Sequence, residues 1–72
     1  MMELSVGPKV FPVTRLEEMS PAKVTLEFDD WAVALALATF PGPHPLTLDH
    51  AQMIYIQPVT GMNGRIDSVV AQ

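Results

Sequence analysis

Apolar and polar positions alternate most clearly over Lys23-Val-Thr-Leu-Glu-Phe-Asp29. Val24, Leu26 and Phe28 fall on one face, and Lys23, Thr25, Glu27 and Asp29 on the other. A period of two with β-branched and aromatic residues marks a half-buried strand. The same alternation recurs over Gln52–Gln57, ending at Pro58, and Arg65–Ala71 reads as a third strand. Asn63-Gly64 lies between these two stretches, and Asn-Gly is the strongest short hairpin signal because both residues tolerate positive φ. Met2–Val6 reads as a further short strand, broken by Gly7-Pro8. Pro8 and Pro12 then favour an extended course at a sheet edge, since proline cannot donate to a central ladder.

Trp31-Ala-Val-Ala-Leu-Ala-Leu-Ala-Thr-Phe40 has two readings. As a helix it is capped by Asp29 or Asp30, rich in strong helix formers, and stopped by Pro41. As a strand it sets Trp31, Val33, Leu35, Leu37 and Thr39 on one face and four alanines on the other. Alanine is depleted in strands, so the helix is favoured. Thr14-Arg15-Leu16-Glu17 matches a capping box and predicts one helical turn ending before Pro21. Pro41-Gly-Pro-His-Pro45 is expected to be a loop. The expected fold is therefore a single α+β domain over residues 1–72. It has one short helix on a three- to four-stranded, mainly antiparallel sheet, or becomes a small all-β barrel if 31–40 is a strand.

Composition bears on what such a domain does. Of the 72 residues, 49% are hydrophobic and 17% charged, a pairing that excludes intrinsic disorder. A monomer of this size buries only about 60% of its unfolded surface, so it carries more apolar surface than it can hide. The net charge is −4, and the four cations, Lys9, Arg15, Lys23 and Arg65, are dispersed. That argues against nucleic acid and anionic membranes as partners. The acid pairs Glu17-Glu18 and Asp29-Asp30 are too few to mimic a phosphate track. No cysteine is present, which excludes disulfides and thiolate metal sites. The most apolar run is ten residues, half of what spans a membrane helically, and no export signal is visible; the expected location is the cytoplasm.

Glycines at 7, 42, 61 and 64 spell neither a dinucleotide fingerprint nor a phosphate loop, and Ser5, Ser20 and Ser68 sit in no nucleophile elbow. His44, Asp49 and His50 have the composition of an iron or zinc ligand set. Adjacent residues on a strand point apart, however, so a solvated turn is the favoured reading and no metal, cofactor or catalytic residue is assigned. Trp31 reads first as a core residue and alternatively as an interface anchor. Met62, beside the Asn63-Gly64 turn, is an adaptable apolar side chain at an exposed tip.

The leading expectation is a non-enzymatic, homo-oligomeric protein-binding module that occludes a partner's surface, the partner's identity being open. The interface candidates are Trp31, Ala34, Ala36, Ala38 and Met62. The alternative is a structural subunit of a larger assembly, such as a viral or phage particle, with Met2–Val13 exchanged between neighbours as an arm. A small metal-dependent or acid–base enzyme built on His44, Asp49 and His50 is the third reading.

Overall fold

Gly7-Pro8 forms the first turn. Gly7 adopts φ +59°, and a positive φ followed by proline's fixed negative one is the II′ arrangement that matches hairpin twist. The computed structural model describes residues 2–48, 52–62 and 64–71. These form β1 (Met2–Val6), β2 (Lys9–Pro12), β3 (Arg15–Ser20), β4 (Lys23–Glu27), α1 (Ala32–Thr39), β5 (His44–Leu48), β6 (Gln52–Met62) and β7 (Arg65–Ala71). All strand pairs are antiparallel, in the order β2-β1-β5-β6-β7-β4-β3.

The two edge strands, β2 and β3, are successive stretches of one bent segment. At the bend, the Val13 N–H donates to the Met2 carbonyl at 2.9 Å and the Thr14 N–H to the Glu27 carbonyl at 2.8 Å. The segment thus bonds β1 on one side and β4 on the other, and the sheet curls into a half-barrel. Its concave side holds the core: Leu4, Val6, Phe11, Val24, Leu26, Phe28, Leu46, Ile56 and Ile66, joined by Val33 and Ala36 from α1. Phe11 and Phe28 meet edge to face at 6.5 Å, a favoured aromatic geometry that ties β2 to the end of β4. β1 sits between β2 and β5, and Leu4, Val6 and Phe11 carry the segment Met2–Val13 into this core.

The sheet has seven strands, not three or four, and the protein is mostly β with one short helix. The expected α+β arrangement is corrected at two places. The first is 15–20, where the capping-box pattern predicted a helical turn. Thr14 uses its amide and its hydroxyl on the Glu27 carbonyl, the latter at 2.9 Å, so it caps nothing. Leu16 packs toward the core opposite Leu26, and pairing with β4 overrides the helical propensity of Leu and Glu.

The second is His44-Pro45, the last two residues of the loop expected over Pro41–Pro45, which instead open β5. β5 pairs with both neighbours. The β1 pairing runs only from Leu46 to Leu48, so Pro45 has β6 on one side and no β1 partner on the other. Pro58 is tolerated likewise: β5 pairing stops at Ile56, and Pro58 adjoins a bulge at Val59. That bulge lets β6 continue past its expected end.

The helical reading of 31–40 is the one the chain adopts, over Ala32–Thr39. Asp30 Oδ1 accepts the Ala32 N–H at 2.9 Å, which supplies one of the free amides at the helix start. Val24, Leu26 and Phe28 point inward as the alternation requires. Thr25, expected on an exposed polar face, is only 2% accessible. It lies between Glu17 and Asp67 of the flanking strands, and its Oγ1 donates to Asp67 Oδ1 at 2.8 Å.

Candidate contact surface

α1 carries no ionisable side chain, and its burial pattern shows which arc the core uses. Val33 and Ala36 are buried and Leu37 half-buried, while Ala32, Ala34, Leu35, Ala38 and Thr39 are exposed. A helix places residues three and four apart on one face, so Trp31, Leu35 and Ala38 form an outward ridge. Trp31 is 68% accessible and Leu35 72%. A surface helix ordinarily turns charge outward. This one turns apolar groups.

Both ends of the ridge rest on glycines. At the start, Gly64 (φ +80°) donates no side chain, and a Cβ there would stand 2.5 Å from the Phe28 carbonyl oxygen and 3.3 Å from the Trp31 indole. The Phe28 N–H also donates to the Gly64 carbonyl at 2.7 Å. At the other end, the Phe40 ring covers Gly7, where a Cβ would come within 2.9 Å of ring carbons. Any side chain at either position would push an aromatic group off its seat.

A groove of about 300 Å³ runs beside the ridge, between α1 and the bulged part of β6. Ala34, Leu37 and Ala38 form one wall, and Pro58, Val59 and Gly61 the other. Val59 is the bulge residue and is itself exposed. No charged side chain lines this groove. On the far side of the ridge a smaller depression, of about 140 Å³, lies between Leu35 and Pro8 and Lys9 of the first hairpin.

The convex face of β3, β4, β6 and β7 is different in kind. Arg15 donates to Glu17 at 2.8 Å and stands 3.6 Å from Glu27, while Arg65 lies 3.8 Å from Glu17. Beside them Asp67 accepts from Thr25 at 2.8 Å and from Thr60 at 3.2 Å. Charges and hydroxyls on this face satisfy one another across strands.

The residues singled out from sequence are distributed as follows. Trp31 is on the surface, which corrects its reading as core: it precedes the helix, 68% exposed, with its indole edge against Gly64. Ala34 and Ala38 border the groove. Ala36 is 7% accessible, packs against the core and shows only at the floor of the depression beside Leu35. Met62 is 74% accessible but pairs with Arg65 on the convex face, in a cleft shared with Thr60 and Asp67, apart from the ridge. The sequence pattern alone did not single out Leu35, Val59 or Phe40. Leu35 is legible on a helical wheel, opposite Val33; the Val59 bulge has only Pro58 as its signal.

His44, expected on a solvated turn, is buried at the head of β5, where it faces Ile56 across the ladder. Asp49 and His50 lie outside the described residues. Among the described residues no group of three His, Asp or Glu side chains is placed to hold a metal ion. Ser68 Oγ is buried without a hydrogen-bond partner, between Val24 and Pro58 on the neighbouring strands. No general base is bonded to it, as an activated nucleophile requires. Among the described residues no helix is long and apolar enough to cross a membrane. The chain matches no protein-family model, no curated protein and no solved structure.

Proposed function

We propose that this chain acts by contact and not by catalysis, as a protein-binding module whose working surface is the α1 ridge with its flanking groove. The observation that carries this reading is a charge-free helix holding Trp31 and Leu35 in water, at 68% and 72% accessibility. Covering a large side chain of this kind gains about 1.5–3 kcal/mol, and tryptophan at the centre of a contact is a frequent source of binding energy. Scattered apolar residues on a surface mean little, but these are contiguous and adjoin an apolar groove.

A photo-reactive amino acid at position 35, expressed in the native host, tests the reading. The expected result is one discrete heavier adduct, absent when the same probe replaces the exposed Glu18 of β3. Equal labelling at both positions, or no adduct at position 35, overturns it.

A further inference from the structure

We infer that the partner of the α1 ridge is a second copy of this chain, in a closed two-fold dimer. The inference rests on the contact reading above and adds the identity of the occupant. Three features point to it.

The first is shape. A two-fold contact uses the same patch on both copies, so that patch must be complementary to itself. Here the convex ridge of Trp31, Leu35 and Ala38 lies directly beside the groove walled by Ala34, Pro58 and Val59. Rotation about an axis lying between the ridge and the groove brings the ridge of each copy toward the other copy's groove. Alanines at 34 and 38 let the two helices approach closely.

The second is charge. Each copy carries −4, so two copies repel wherever carboxylates face each other. The ridge and groove hold no ionisable group, and the convex face already pairs its charges internally. The ridge and groove are able to meet their own image with the nearest charges, Asp30 at the helix start and Lys9 beside Leu35, kept to the margin.

The third is area. Trp31, Leu35, Phe40 and Val59 are 68%, 72%, 39% and 62% accessible, and the two aromatic side chains alone, at roughly 150–250 Å² each when whole, leave on the order of 200 Å² exposed. A standard interface takes about 800 Å² from each partner, a modest part of the 4701 Å² surface of this chain. The four residues supply the apolar centre, and Thr39 and Thr60 at the margins supply a polar rim.

Sedimentation equilibrium of the purified chain, from micromolar to millimolar concentration, tests the inference. The expected mass is that of two chains, falling to 7.9 kDa on dilution. Leu35→Glu should hold the mass at one chain throughout, with its circular dichroism unchanged. Val10→Glu, on the exposed part of β2, should dimerise as the wild type does. Ala38→Glu repeats the test on the same ridge should Leu35→Glu lose its fold. A wild-type mass of one chain at every concentration, a mass above two chains, or a dimer that survives both ridge variants overturns the inference. An adduct at position 35 to another protein, with the purified chain monomeric, would overturn self-association alone and leave the contact reading standing.

Discussion

The α1 ridge and the convex face of β3, β4 and β7 both meet water, yet they resolve that exposure in opposite ways. On the convex face polar groups meet one another within and across strands: Arg15 meets Glu17 and Glu27, Arg65 meets Glu17, and Thr25 and Thr60 donate to Asp67. On the ridge nothing is answered. Exposed ion pairs of this kind contribute little to stability, and the charges of the convex face are largely met within the chain. The ridge is a surface whose exposure carries a continuing cost that only association removes. Function is therefore sought where the chain leaves its chemistry incomplete.

Substitutions sharpen this contrast, and the largest effect belongs to the core beneath both faces. Phe28→Ala removes the ring that meets Phe11 and is expected to cost about 3–5 kcal/mol in urea unfolding. In a domain whose total stability is about 5 kcal/mol, that leaves little folded protein. Thr25→Val tests the hydroxyl network of the convex face. It keeps the shape of a buried side chain but removes a donor to Asp67, and about 1–1.5 kcal/mol should be lost. A loss near zero would mean that Asp67 is served equally well by water.

Arg15→Ala is expected to cost less, about 0.5 kcal/mol, because its side chain is 64% exposed. The effect should shrink further when unfolding is repeated in high salt. Leu35→Glu should have the smallest effect on the dilute, dissociated chain, within about 0.5 kcal/mol, as expected of an exposed position. The ranking Phe28, Thr25, Arg15, Leu35 would be broken by a large loss at position 35. That result would place Leu35 in the folded core of one chain.

How much of this was legible in the sequence depends on what each segment's neighbours do. β4 was readable because its period-two pattern agrees with its burial. α1 was readable because alanine propensity, an acidic cap and a following proline agree. β3 was not: Arg15-Leu-Glu-Glu has good helical residues, and only pairing with β4 makes it a strand. β5 was hidden by its prolines, since the sequence does not reveal that the β1 ladder ends before Pro45. Thr25 looked exposed because alternation gives direction, while its burial comes from Glu17 and Asp67, distant in sequence. For the contact surface, the uncharged run 31–40 announced an apolar patch, but which alanines face outward required the buried arc of Val33 and Ala36.

The chain has a single tryptophan, and it lies on the ridge, so acrylamide quenching of Trp31 fluorescence across a protein concentration series tests the central claim most directly. The account predicts strong quenching and red-shifted emission in dilute solution, giving way to protection and a blue shift as concentration rises, with Leu35→Glu locked in the dilute behaviour. Quenching that stays at the level of an exposed indole at every concentration, or protection already complete in the most dilute sample and unchanged in Leu35→Glu, would contradict it.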